Sequence, residues 1–366
     1  MLSGKRTDHS MGERKTSVEN RISWLRAILC VLVVYVHCQN TDWFNAASAP
    51  WIASAERTVA ELFTSIAVPG FFFLSGYLFF RNYDDTQLKR KLLSRVFTLL
   101  IPFLLWNLIY YFVELALRNL PLTAGLFDGS VVPFSVKEVL LATFNYKYNP
   151  VFWFMQFLIV YTALTPLIRI VMKNRIAGLF VLAAVFAAAF PLSLTKPQGF
   201  LRSLYEMLQF FPGYLLGCYL ALHFREFMED QDLPVLFPVI AALLGIGLHL
   251  WNVLSPSLVS AQLVRTLTGP VLLFAFRALR LPKPMAWMRF TFFYYAAHHL
   301  VAHLMNKMAS VVLGTNMIVG GVLFVVLPWV IIPLLFGIGL LIERFLPPVA
   351  KLLGVGKPKG KKKTAA

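Results

Sequence analysis

The chain has 366 residues, of which 58% are hydrophobic and only 14% charged, and its mean hydropathy of +0.68 excludes an ordinary soluble domain. The net charge of +17 raises nucleic-acid binding, but the cations sit beside apolar stretches, where the positive-inside bias of membrane proteins accounts for them. Three cysteines, Cys30, Cys38 and Cys218, share no spacing pattern and exclude both a disulfide framework and a cysteine metal site.

A helix needs about 20 mostly apolar residues to cross a bilayer. About ten such stretches follow one another, centred near Leu32, Ala67, Leu105, Val160, Val185, Phe211, Leu243, Leu272, Leu300 and Val330. The expected fold is an all-α polytopic membrane protein with about ten transmembrane helices. Residues 1–20 form a polar, basic leader with no cleavage signal after it, residues 21–346 the membrane domain, and residues 347–366 a basic tail. Cations between Lys5 and Arg21, Arg81 and Arg95, Arg169 and Arg175, Arg277 and Arg289, and Lys351 and Lys363 all fall on one side of that arrangement. The loops Gln39 to Arg57 and Leu192 to Arg202 carry few. Both termini are therefore expected in the cytoplasm; the net-acidic loop Arg225 to Asp232 is the exception, and carboxylates weigh little in this rule.

The first span, "WLRAILCVLVVYVHCQN", holds Arg26 near its start and His37 near its end. Eleven residues at about 100° each return to within roughly 20° of one helical face, and the rise between them is roughly 16 Å. An ionisable residue inside a span is a functional candidate. The alternative is that Arg26 snorkels to the headgroups and His37 sits in the outer interface. Cys38 beside His37 reads as a small buried hydrophobe.

The second span, "ELFTSIAVPGFFFLSGYLFF", runs back with Glu61 at its outer end and Ser75 and Gly76 near the cytoplasm. Glu61 approaches the level of His37, where a carboxylate would fix the histidine tautomer; an ordinary interfacial residue is the other reading. At the third span Lys89, Arg90, Lys91 and Arg95 crowd the cytoplasmic mouth, suited to a phosphorylated ligand and equally to orientation bias. The loop from about Arg118 to Pro150 is long enough to cap a site and too short to fold alone. In the ninth span "RFTFFYYAAHHLVAH" places His298 near mid-membrane, with His299 and His303 one turn apart. That spacing can ligate a metal, but no third ligand accompanies it, and no metal is expected. Glu114, Glu206 and His249 also lie in spans without an assignable role.

Arg26, ten residues, then His37; "FFFLSGYL"; "KLLSRVFTLLIPFLLWN"; "FWFMQFLIVYTALTPLI"; and "FTFFYYAAHHL" occur in that order. Together they resemble the acyltransferase-3 family of integral membrane acyltransferases, over about Arg21 to Glu343, and most of all its short branch that O-acetylates surface polysaccharides. The resemblance implies that 21–346 is a membrane acyltransferase domain in a bacterial plasma (inner) membrane. It would move an acyl group, usually acetyl, from acyl-CoA to a hydroxyl of an envelope glycan or lipid-linked saccharide. No tightly bound cofactor is implied; acyl-CoA (acetyl-CoA) is the donor substrate. The family's catalytic histidine falls on His37, its paired arginine on Arg26, its serine-glycine element on Ser75 and Gly76, and its late histidine on His298. Many members carry Arg-x-x-Arg at helix three; here Lys91 and Arg95 stand one residue wider, which puts the donor contacts in doubt. With the geometry, this makes His37 the general base, Arg26, Lys91, Arg95, Ser75 and Gly76 the acyl-CoA contacts, and Glu61 and His298 catalytic support. A polysaccharide exporter or lipid-linked sugar flippase is the alternative. It would need no CoA and should show paired repeats, which the sequence lacks.

Overall fold

Proline and small polar residues set the helix ends. Pro50 opens a 31-residue helix because proline's fixed φ suits the first turn and its missing N–H has no partner to lose there. Asn316 caps another by accepting from the Ile318 N–H at 2.8 Å, and Ser257 and Ser260 form a reciprocal capping box. The computed structural model describes residues 3–120, 123, 130–194, 198–229 and 233–356. Residues 357–366 of the basic tail, 230–232 of the acidic loop, and 121, 122 and 124–129 of the long loop lie outside the described residues.

Among the described residues every regular element is helical. In chain order the helices are α1 (Ser3–His37), α2 (Pro50–Phe80), α3 (Leu88–Arg95), α4 (Ile101–Asn119), α5 (Val136–Asn145), α6 (Trp153–Ala163), α7 (Thr165–Met172), α8 (Arg175–Leu194), α9 (Gly199–His223), α10 (Arg225–Glu229), α11 (Leu236–Leu254), α12 (Leu258–Ala275), α13 (Thr291–Leu313), α14 (Met317–Phe345) and α15 (Pro347–Leu352). A π-helical turn, Val96–Leu100, joins α3 to α4; the Ile101 N–H reaches back five residues to the Val96 carbonyl, just before Pro102 removes the next donor. By length and composition five helical stretches can cross a membrane: Pro50–Phe80, Asp85–Asn119, Leu236–Leu254, Leu258–Ala278 and Met317–Phe345. The pair α6 and α7, bent by 58°, is either a sixth, broken span or a re-entrant loop. This is a multi-pass helical membrane protein. Helices α1, α8, α9 and α13, where spans were also expected, are not among these stretches; in α13 His298, Asn306 and Ser310 lower the apolar character, and all three are buried.

The chain forms two compact units. The first comprises 1–33, 61–92 and 160–284, and its helices meet through glycine. A methyl group added at Gly76 of α2 would overlap the Tyr214 carbonyl oxygen of α9, one at Gly217 of α9 the Phe73 carbonyl oxygen, and one at Gly269 of α12 the Phe73 ring. Small residues let membrane helices approach this closely. Because the obstacle at Gly76 is backbone, which does not swing aside, Gly76→Ala is expected to destabilise the protein by about 1–3 kcal/mol, read as a lowered melting temperature in detergent; an unchanged value would show that the helices separate at little cost. At the end of α2, Lys91 donates to the Phe79 carbonyl at 2.6 Å and lies over the Phe79 and Tyr83 rings, a cation serving a helix C-terminus.

The second unit comprises 34–60, 93–159 and 285–366. Here the segment after α4 folds back on that helix. Asn107 donates to the Thr143 carbonyl at 3.1 Å, and the Tyr111 hydroxyl donates to the Pro133 carbonyl at 2.9 Å, while Tyr111, Val132 and Ala142 pack together. Ser135 caps α5, and the left-handed residue Tyr146, φ 45°, turns the chain so that Lys147 and Tyr148 both donate to Glu138. Those two donors, Lys147 foremost, hold the Glu138 carboxyl below the usual carboxylate range. A depressed carboxylate stabilises the fold above its unfolded value, about 4.3, and loses that effect as pH falls through its folded value. Amide protection over residues 136–148, that is, exchange relative to its intrinsic rate at each pH, is therefore expected to fall on acidification below about pH 4, and Glu138→Gln should remove that acid-dependent step. Persistence of the step in Glu138→Gln would assign it elsewhere.

Candidate active site

His37 is the last residue of α1, which is one continuous helix through Arg26 and His37. The helix closes with the Cys38 N–H on the Val34 and Tyr35 carbonyls. The next polar residues are tied down: the Asn40 N–H donates to Glu56 Oε2 at 3.3 Å, and the Asn40 amide to the Gly320 carbonyl at 2.8 Å and to Asn306 Oδ1 at 3.4 Å. Asn306 in turn donates to the Cys38 carbonyl at 3.4 Å. Asn40, Glu56 and Asn306 are all at most 2% exposed. The end of the His37 helix is thus fastened to α2, α13 and α14 by side chains with almost no water to compete for them.

Helix α13 brings two more imidazoles. The His298 and His299 rings lie 5.0 and 5.4 Å from the His37 ring, centre to centre. His298 is fully buried, and its Nδ1 lies 2.9 Å from the Tyr294 carbonyl and 2.8 Å from that of Tyr295. Carbonyls only accept, so Nδ1 carries the proton and Nε2 keeps a lone pair. That buried Nε2 has no hydrogen-bond partner. One rung along, the Tyr110 hydroxyl donates to the Ala296 carbonyl and accepts from the Leu300 N–H, each at 3.1 Å. It inserts at the very rung that spans His298 and His299, and its ring stacks 6.3 Å from His299. Further along, His303 meets Trp43 edge-on at 4.7 Å, and Lys307 lies over the same indole at 5.0 Å. Among the described residues no three His, Cys, Asp or Glu side chains are grouped to hold a metal ion.

The second unit therefore assembles His37, His298 and His299, and adds Glu56 together with Tyr110, Asn40 and Asn306, the last three of which carry no signal of their own in the sequence. The imidazole neighbours of His37 are His298 and His299. Glu61 belongs to the first unit and is exposed; the buried carboxylate of α2 is Glu56. Arg26 is exposed in the first unit. Ser75 is half-buried, Gly76 lies at the helix contact described above, and Lys91 serves the end of α2, all in the first unit. Arg95 is half-buried at the end of α3, in the second. Glu56 was hidden because residues 39–57 read as a loop, whereas α2 begins at Pro50. A carboxylate two turns inside a helix is the signal that would have found it.

A family model described as an acyltransferase domain matches residues 19–342. The chain is also similar to the succinoglycan biosynthesis protein ExoH of Rhizobium meliloti (strain 1021), 26% identical over 247 residues, covering 64% of this chain and 63% of that protein. It thus spans less than two thirds of that relative's length. No solved structure matches.

Proposed function

We propose, from the premise that this chain belongs to the acyltransferase-3 family, that it transfers an acyl group from acyl-CoA to a hydroxyl of a cell-envelope polysaccharide or glycolipid at a bacterial inner membrane. The full arrangement in this reading has about ten spans and both termini in the cytoplasm. The observation that carries the chemistry is the gathering of His37, His298 and His299 at 5.0 and 5.4 Å, with His298 locked in one tautomer by two backbone carbonyls. A polysaccharide acceptor is supported by the similarity to a protein whose name places it in succinoglycan biosynthesis.

In the reaction His37 takes the proton of the acceptor hydroxyl as its oxygen attacks the thioester carbonyl carbon. The tetrahedral intermediate collapses with cleavage of the C–S bond, and the proton passes from His37 to the departing thiolate. The products are the acyl ester and CoA–SH. His37 is half-buried and is assigned the proton transfer, whereas fully buried His298 is assigned to orient its neighbour. Arg95, in the same unit as His37, is assigned to the donor. The test uses the purified full chain in nanodiscs with radiolabelled acetyl-CoA, then succinyl-CoA, and envelope oligosaccharide acceptors. Acceptor-dependent release of CoA with label in the glycan supports the reading; transport of the glycan without label transfer would replace it with an exporter.

A further inference from the structure

A second charged assembly lies wholly within the first unit, and neither the transfer chemistry nor any family element accounts for it. Glu229, at the end of α10, receives two bonds from Arg81, Nε at 2.5 Å and Nη2 at 3.3 Å, and one from the Tyr77 hydroxyl at 2.9 Å. Arg225 donates to the Arg81 carbonyl at 2.9 Å and to Asn82 Oδ1 at 3.0 Å. Arg277 donates to the Phe227 carbonyl at 2.9 Å while stacking 4.8 Å from the Phe274 ring. Arg21, only 6% exposed, reaches the Glu229 carbonyl from Nη2 at 3.4 Å, and its buried Nε donates to nothing. The groups that act electrostatically on Arg21 are Arg277, Glu229, Tyr77 and Arg81.

Arg81 thus pairs with the Glu229 carboxylate, Arg21 reaches the backbone carbonyl of the same residue, and Arg225 and Arg277 bond to oxygens of Arg81, Asn82 and Phe227; Glu226 of the same short helix is exposed, and Asp230 and Asp232 lie outside the described residues. Orientation bias explains cations at a membrane face. It does not explain burying one of them with a donor unsatisfied, which costs free energy unless an anion repays it. Four arginines from four segments of chain suit the tetrahedral oxygens of phosphate, because arginine meets phosphate in two parallel bonds where lysine offers a point charge. We propose that Arg21, Arg81, Arg225 and Arg277 form a phosphate-binding site that takes the phosphoryl groups of the acyl donor. Identifying the ligand as acyl-CoA rests on the proposed function; the phosphate site does not. Glu229 competes with that ligand: it holds Arg81 and Tyr77 in place and gives way to an incoming phosphate.

The test is calorimetry on the full chain in neutral phosphatidylcholine nanodiscs with CoA, dephospho-CoA and inorganic pyrophosphate, repeated in nanodiscs containing phosphatidylglycerol. Wild type is expected to bind CoA and pyrophosphate. Arg277→Gln should weaken both at least tenfold, Arg277→Lys should restore only part, and Glu229→Gln should tighten both, a gain that a merely structural ion pair would not give. Size exclusion and melting temperature show that each variant is folded, and Glu229→Gln supplies the readout should Arg277→Gln fail to fold. CoA affinity unchanged in folded Arg277→Gln and Glu229→Gln, with melting temperature equally indifferent to phosphatidylglycerol, overturns the phosphate site. Arg277-dependent stabilisation by phosphatidylglycerol without CoA binding overturns the donor assignment and makes a lipid headgroup the source of the phosphate. Label transfer that is insensitive to these variants would leave the transferase reading standing without the site. Pyrophosphate binding without transfer would leave the site standing without that reading.

Discussion

Replacing His37 by alanine is expected to lower acyl transfer by about 10²–10⁴-fold, the usual contribution of a positioned general base, in a protein that still folds and still binds its donor. The structural effect should be small because His37 is the last residue of α1 and only half-buried. The fastening of that helix end runs through the Cys38 carbonyl, Asn40, Glu56 and Asn306, none of which needs the imidazole. What is lost is a proton acceptor present in the transition state, so kcat should fall with little change in the KM for acyl-CoA. The assay follows CoA thiol release with and without acceptor. Transfer within about threefold of wild type, less than a positioned base contributes, would remove His37 from the chemistry.

The class of fold was legible because hydrocarbon imposes its own length on a helix: a run of about 20 apolar residues is what a bilayer crossing requires and longer than a buried helix of a soluble core needs. His37, His298 and His299 were visible for the same reason, as ionisable groups in apolar surroundings. The neighbours that hold them were not. Asn40 and Asn306 carry no charge, so nothing marked them among the uncharged polar residues, although each is at most 1% exposed. Tyr110 is one of 13 tyrosines, and only the backbone positions of Ala296 and Leu300 give its hydroxyl a purpose. The choice between Glu56 and Glu61 shows the limit most clearly. Five residues turn a helix by about 500°, leaving the two carboxylates roughly 140° apart, so one can face the interior while the other faces out. Composition does not say which, since apolar residues occur all round α2, and the structure buries Glu56. Gly76 teaches the converse: a glycine in a motif invites a ligand, while the backbone carbonyl of Tyr214 beside it explains the missing side chain by packing.

His298 separates two roles that alanine would confuse. Its ring makes a donor contact through Nδ1 to the Tyr294 and Tyr295 carbonyls and leaves an acceptor, Nε2, buried without a partner. Leaving an acceptor unsatisfied in the interior costs about 1–3 kcal/mol, so a site that keeps one should use it when substrate or a neighbouring imidazole supplies a proton. Asparagine reaches the Nδ1 position with an amide donor and places nothing at Nε2; glutamine reaches the Nε2 position with an amide oxygen that accepts. If Nε2 orients His37 or a substrate proton, His298→Asn should lower kcat by about 10–100-fold, the loss of roughly 1.4–2.7 kcal/mol of transition-state stabilisation, and His298→Gln should retain several times more activity than His298→Asn. If the ring matters only through its helix-bonded Nδ1, the order reverses, because asparagine preserves that bond. Equal activity of the two folded variants at the wild-type level would leave both ring nitrogens outside the reaction and reduce His298 to packing beside His37.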